Sequence, residues 1–176
     1  MGMSKRRHTL EMRTVTPDDN PDILDIYRQC EDFLALGPEP QASPEMVHKD
    51  IEAARNEGGV FRSIFSAGRM IGVVSYVPAG FEGKPDAAFL SLLMIAAPYR
   101  GHGTGTEIVK RIEKEILGNP HITKILSGVQ VNNPDALRFW QKNGYHIVGG
   151  PELRPDKTTV FHLCKDLKTT SNIKDI

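Results

Sequence analysis

Between residues 98 and 106 the chain reads Pro98-Tyr99-Arg100-Gly101-His102-Gly103-Thr104-Gly105-Thr106. Just before it, Ala87 to Ala96 (AAFLSLLMIA) is almost continuously apolar, as a strand buried on both faces should be. Just after it, Ile108, Val109, Ile112 and Ile116 recur at helical spacing, with Glu107, Lys110, Arg111, Glu113 and Lys114 on other faces. A buried strand that turns so sharply into an amphipathic helix points to a β-α unit in a layered α/β domain. The glycines let the backbone turn tightly and bring amide N–H groups close to a ligand. The helix that follows starts with unpaired N–H groups and partial positive charge. The segment is therefore a cradle for phosphate, or a tight strand-to-helix turn with no ligand.

The remaining elements follow from turn chemistry and periodicity. Leu10 to Val15 reads as a short strand. Asn20 is the expected N-cap of a helix with Pro21 at its first position. That helix carries Ile23, Leu24, Tyr27, Cys30 and Leu34 at helical spacing, and Gly37-Pro38-Glu39-Pro40 stops it. Ser43 caps a second helix with Pro44 at N1, which ends before Gly58-Gly59. Val60–Ser66 and Met70–Val77, linked by Ala67-Gly68-Arg69, predict an antiparallel hairpin. The Pro- and Gly-containing stretch from Pro78 to Asp86 is a loop. Ile125 to Val131 is a strand, and Asn133 caps a helix with Pro134 at N1 that stops at Asn143-Gly144. Tyr145–Val148 and Thr159–Leu163 predict a last pair of strands around the turn-rich residues 149–157. The order β-α-α-β-β-β-α-β-α-β-β requires one α/β domain with a mixed sheet. Residues 1–8 form a basic tail, 9–168 the domain and 169–176 a second tail.

Composition narrows the function. The 176 residues carry 22 Lys+Arg and 22 Asp+Glu, a formal net charge of zero. A dedicated nucleic-acid binder would show a basic stripe, and a protein held to anionic lipid by charge would show a basic excess. No apolar run approaches the roughly 20 residues a membrane helix needs. The N-terminus lacks the apolar segment of a secretory signal, so a soluble cytoplasmic protein is expected. Cys30 and Cys164 are too few and too far apart for a disulfide framework or a zinc site, and read as thiols in a reducing compartment. No metal site is expected.

The glycine turn fits neither common nucleotide motif. Counted from Gly101, the third glycine of a dinucleotide fingerprint falls on Thr106, and no acidic residue stands near Ile125 and Leu126. A P-loop would close on Gly-Lys-Ser/Thr, which is absent. Arg100-Gly101-His102-Gly103-Thr104-Gly105 instead resembles the Arg/Gln-x-x-Gly-x-Gly/Ala signature of the GNAT superfamily of N-acetyltransferases. Asn133-Pro134-Asp135-Ala136, then Phe139-Trp140 and Gly144-Tyr145, is similar to that family's second pattern. The element order matches as well, and the resemblance spans roughly Leu10 to Leu167.

The resemblance implies a central twisted sheet of about seven strands with helices on both faces, and acetyl-coenzyme A as acyl donor. It assigns the pyrophosphate to the amides of Arg100, Gly101, His102, Gly103, Thr104 and Gly105, with Thr106 at the helix start. It assigns the pantetheine arm to backbone groups of Leu93, Met94 and Ile95, beside Phe139, on a strand that splays from its neighbour. Asn133 would bond the arm, cap its helix, or do both. The Arg100 side chain would pair with phosphate or lie solvated. The activity implied is acetyl transfer to a primary amine of a small molecule, amino acid or peptide. The alternative is a non-catalytic acyl-CoA-binding domain on the same fold. A primary amine near pKa 10 must lose a proton before attack, so a base is required. The oxyanion that develops on attack needs a donor, which a backbone N–H near Met94 or Ile95 would supply. Many relatives place Tyr, as general acid, where this chain has Trp140, and an indole N–H donates but does not act as an acid. Trp140 is then a wall beside the thioester. Ser91 on the strand and Glu31 at the end of the first helix, next to Asp32, are the other catalytic candidates. Tyr27 reads as core, or as a residue facing the acceptor pocket. A monomer or homodimer is compatible with these features.

Overall fold

The computed structural model describes residues 9–167. The expected basic tail at 1–8 and the C-terminal tail lie outside them, as does residue 168. In chain order the elements are β1 (Leu10–Thr14), α1 (Asn20–Gln29), α2 (Glu31–Leu34), α3 (Pro44–Asn56), β2 (Val60–Ser66) and β3 (Arg69–Val77). They continue as β4 (Ala87–Ile95), α4 (Thr104–Ile116), β5 (Lys124–Gln130), α5 (Pro134–Lys142), β6 (His146–Leu153) and β7 (Thr159–Asp166). The strands form one seven-stranded sheet in the order β1-β2-β3-β4-β5-β7-β6. Among the described residues only β4 and β5 run parallel; every other neighbouring pair is antiparallel.

Local chemistry explains most of these elements. Ala67 and Gly68 take positive φ (50° and 76°), the backbone that closes a two-residue hairpin between β2 and β3. Ser43 Oγ accepts from Met46 N (3.1 Å) and Asn133 Oδ1 from Ala136 N (3.1 Å), so both expected caps are in place. The first helix differs from expectation. Asp19 Oδ2 accepts from Thr16 N (2.7 Å) and Thr16 Oγ1 (3.1 Å), and a 3-10 turn over Pro17–Asp19 leads straight into α1. Asn20 is therefore a helical residue, not the cap. The helix also breaks at Cys30 (φ −114°, ψ 19°), and α2 starts afresh from it.

Two apolar cores lie on opposite faces of the sheet. Ile108, Val109, Ile112 and Ile116 of α4 pack with Trp140, Tyr145 and the strand residues Val74, Leu90, Ile125 and Leu163. Ile23, Ile26 and Tyr27 of α1 and Met46 and Val47 of α3 pack with Phe61, Val73 and Met94. At about 25 cal/mol per Å2 of apolar surface removed from water, these two layers dominate stability. Tyr27 is fully buried and donates to Asp50 Oδ2 (2.7 Å), as core placement predicts. Cys30 and Cys164 are both buried and unbridged. Among the described residues no helix is long and apolar enough to cross a membrane.

The last hairpin is longer than its sequence suggests. β6 runs through Gly149-Gly150-Pro151 with two register shifts, so residues that read as turn belong to a bulged strand.

Candidate active site

The sheet opens in its middle. β4 pairs with β5 only from Ala87↔Lys124 to Leu90↔Ser127. Beyond that rung β4 continues along β3 as far as Ile95, and β5 continues along β7 as far as Gln130. At the fork, Ser127 Oγ donates to the Leu90 carbonyl (2.8 Å). One residue on, the β3–β4 register shifts and Ser91 is left as a bulge, its hydroxyl donating to the Ser75 carbonyl (2.9 Å). The bulge also reverses the side-chain alternation. Leu90 faces the α4 core before it, whereas Leu92 and Met94 face the α1 core after it. The long apolar run in β4 thus serves both cores.

Beyond the fork, β4 presents unpaired backbone to the gap. Ala96 N donates to Ile71 O on the β3 side (2.8 Å), and amides alternate along a strand. Met94 therefore spends its backbone on β3, while Leu93 and Ile95 face the vacated side. The Ile95 carbonyl is already taken: it accepts from Arg100 Nε (2.7 Å) and from Cys30 Sγ (3.5 Å). Of the three strand residues expected from sequence, the structure leaves Leu93 and Ile95 with groups free for a ligand. Met94 contributes a buried side chain.

The glycine turn follows at once. Gly101 and Gly103 have φ of +77° and +80°, a region that costs other L-residues roughly 1–2 kcal/mol. A Cβ at Gly103 would meet nothing within 4 Å, so its surroundings are open, and Gly103 is the N-cap of α4. Gly105 serves a different purpose. A Cβ there would lie 3.1 Å from Phe139 Cε2, so this glycine lets α4 pack close to α5. Thr106 Oγ1 accepts from Asn143 Nδ2 (3.3 Å), which ties the first turn of α4 to the end of α5.

Arg100 is partly exposed but ion-paired within the protein rather than free for phosphate. Its guanidinium donates to both carboxylate oxygens of Asp32 (2.5 and 3.1 Å) while Nε holds Ile95 O. The Arg100 guanidinium holds the Asp32 carboxyl below the usual carboxylate range. Burial pushes the neighbouring Cys30 thiol up. The side chain thus clamps α2 to the end of β4.

A cleft of about 1260 Å3 passes through the fork. Leu93, Ile95, Gly101, Gly105, Asn133, Phe139 and Trp140 line it near α4 and α5. Phe81, Phe89, Ser91, Leu126, Val160 and His162 line it over the sheet face that α1 and α3 leave uncovered. Phe81 and Phe89 stack with centroids 4.0 Å apart. Trp140 does wall the cleft while also packing edge-on against Phe139 and Tyr145. Glu31 does not line it; its carboxylate accepts from Ala42 N (3.0 Å) and braces the loop before α3. His102 is exposed on the turn and also lies outside the lining. Sequence reading missed Gln130, whose buried Oε1 has no donor within the described residues, and the pair His162 and Glu152. Only the register of β5, β7 and β6 brings Gln130 and His162 onto the cleft and sets Glu152 beside His162.

The family model for acetyltransferases of the GNAT family matches residues 20–145. The chain belongs to the GNAT acetyltransferase family. It is an acetyltransferase by that membership, and its mixed open sheet is the family's. A search of curated proteins found no match. Among solved structures, an acetyltransferase from Thermus thermophilus is 24% identical over 91% of this chain and 99% of its own, with a TM-score of 0.75. AAC(6')-Ib in complex with ribostamycin and coenzyme A is 18% identical over 95% and 98%, also at 0.75. Spermidine N-acetyltransferase from Vibrio cholerae, in complex with coenzyme A and spermine, is 16% identical over 89% and 95%, at 0.68.

Proposed function

We propose that this acetyltransferase moves an acetyl group from acetyl-coenzyme A to a primary amine of a small molecule, amino acid or peptide, by direct attack. The observation that carries this reading is the fork after Leu90 and Ser127, with the glycine turn at its far end. The residues suit such a donor on three counts. The open turn at Gly101 and Gly103, with the N-terminus of α4, offers amides to a pyrophosphate. The free backbone groups of Leu93 and Ile95 offer an extended arm a strand to pair with. The orphaned Gln130 Oε1 offers an acceptor to an N–H donor from a ligand. Acetyl-coenzyme A supplies a thioester carbonyl that an unprotonated amine attacks.

The protein's part is to position and to exclude water. The Ile95 amide faces the gap, where it can donate to developing negative charge on the carbonyl oxygen. Trp140 and Phe139 wall the α5 side. Asn133 is engaged as a helix cap, so any bond to a ligand shares its carbonyl or uses its amide nitrogen. Phe81, Phe89, Leu126 and Val160 give the acceptor face an apolar floor, with Glu82, Lys84, Arg154 and Asp156 also lining it, which suits an amine on a body with an apolar part. The solved neighbours hold ribostamycin or spermine, so this preference rests on the lining.

Titration calorimetry with coenzyme A, followed by thiol release from acetyl-coenzyme A across an amine panel, tests the reading. Binding together with release on apolar primary amines is expected. Tight binding with no release on any amine would leave a non-catalytic acyl-CoA-binding domain.

A further inference from the structure

We propose that His162, held by Glu152, takes the proton from the acceptor ammonium; this rests on the acetyl-transfer reading above. The placement follows from the sheet. His162 of β7 is paired with Gly128 of β5, one residue beyond the last β4–β5 rung. On the other side of Gly128, at the same level of β4, stands Ser91. All three lie on the face opposite Leu90, Ser127 and Leu163, which point toward the α4 core. Ser91 and His162 flank a floor at Gly128 that carries no side chain. The bulged serine, the glycine and the imidazole all line the cleft where the sheet forks.

The imidazole is oriented for this role. Its Nε2 contacts the Glu152 carboxylate on β6. On β6 it faces Gly149, where an added Cβ would lie 3.5 Å from its Cδ2. Glycines on both flanking strands leave the ring uncrowded. With Nε2–H donating to Glu152, Nδ1 carries the lone pair, and Nδ1 has no partner among the described residues. A carboxylate that fixes the tautomer leaves the second ring nitrogen free to accept a proton, the arrangement a histidine base needs. Ser91 is not a rival, since its proton goes to Ser75 O. Glu31 lies outside the cleft.

The step balances. One proton of R–NH3+ moves to Nδ1 and gives imidazolium. The freed lone pair forms the C–N bond to the acetyl carbon, and the C–S bond breaks. The nitrogen's surplus proton neutralises the departing thiolate through water, and the imidazolium returns its proton to solvent.

The test compares two acceptors, 2-phenylethylamine, which is protonated at neutral pH, and hydroxylamine, which is not. His162→Gln should lose about a hundredfold or more in kcat/KM on 2-phenylethylamine, within the usual range for a general base, and less than tenfold on hydroxylamine. A second readout needs no turnover. Glu152→Leu should release the His162 ring from its single tautomer, read from ring 15N shifts by NMR with His162→Gln as the assignment control, because the acceptor at Nε2 is gone. The other charged groups lining the cleft over this face, Glu82, Lys84, Arg154 and Asp156, are the same in both proteins and cancel in the comparison. Equal losses on the two acceptors, or no loss on either, would overturn the role of His162 while leaving acetyl transfer standing. A wild-type protein that holds coenzyme A yet acetylates neither acceptor would overturn the activity and the base together.

Discussion

Arg100 grips Asp32 through both guanidinium nitrogens, at 2.5 and 3.1 Å, and with its Nε it holds the carbonyl of Ile95 at the open edge of β4. One side chain thus ties α2 to the end of the strand that would carry the ligand's arm. Because the guanidinium is spent in this way, it adds little to phosphate attraction. Coenzyme A binding should show the same dependence on ionic strength in Arg100→Gln as in the wild type, with a weaker affinity overall. A salt slope reduced by about one in the variant would show that Arg100 reaches the phosphates.

Asp32 gives the pair a pH signature. Its carboxyl is held below the ordinary value by the hydrogen bond from Arg100. A depressed folded pKa contributes stability above the unfolded value, about 3.9, and that contribution is lost as pH falls through the folded pKa. The pair is largely exposed, so its worth is about 1 kcal/mol or less. Asp32→Asn should be slightly less stable than wild type in urea at pH 7, and the difference should vanish well below pH 4.

Parts of this architecture can be read from sequence because single segments determine them. The apolar run at 87–96, the glycine turn and the periodic helix after it announce β4, the cradle and α4 without help from the rest of the chain. Ser43 and Asn133 cap where their neighbours say they should. What sequence could not show is pairing at a distance. Asp32 and Arg100 are 68 residues apart, and nothing local marks them as partners. Gly149-Gly150-Pro151 reads as a turn because glycine and proline usually break strands, yet the bulged β6 absorbs them. His162 meets Glu152 only once that bulge sets the hairpin register.

The glycine turn yields the most direct test of the phosphate cradle. Gly103 has φ +80° with open space where a side chain would project. Gly103→Asp should raise the coenzyme A dissociation constant at least tenfold, about 1.4 kcal/mol, by placing negative charge at the cradle. Gly103→Ala should cost about 1 kcal/mol of stability through backbone strain and affect binding far less. Calorimetry on both folded variants separates charge from strain, with the alanine variant as the baseline for the aspartate one. Equal affinities in the two variants would show that the added charge meets no phosphate.

The pair of buried Tyr27 and half-buried Asp50 predicts a second pH effect of opposite sign. Burial raises the Asp50 carboxyl above its ordinary value, and the hydrogen bond from Tyr27 works against that rise. A raised folded pKa means the ionised carboxylate is disfavoured in the folded state, so its cost appears as pH rises through that value. Tyr27→Phe removes the hydrogen-bond donor that, with Lys49 nearby, supports the charged form, and should raise the Asp50 pKa further. The variant should therefore lose more stability at pH 7 than at pH 3.5, measured by urea unfolding at both. An equal loss at the two pH values would show that the hydroxyl serves packing alone.

Trp140 tests whether a wall or a donor is at work. It is 8% exposed and sits edge-on to Phe139 (5.3 Å) and Tyr145 (4.9 Å), so it belongs to the α4 core as well as to the cleft. Trp140→Ala should cost about 3–5 kcal/mol, the usual loss for a large aromatic removed from a core. Trp140→Phe keeps both edge contacts and should cost about 1–2 kcal/mol, with kcat on an accepted amine changing only a fewfold. The indole N–H has no partner among the described residues, so its loss leaves no orphaned acceptor behind in the protein. If turnover falls a hundredfold in the phenylalanine variant while its unfolding midpoint holds, the N–H is acting on the bound substrates and Trp140 is more than a wall.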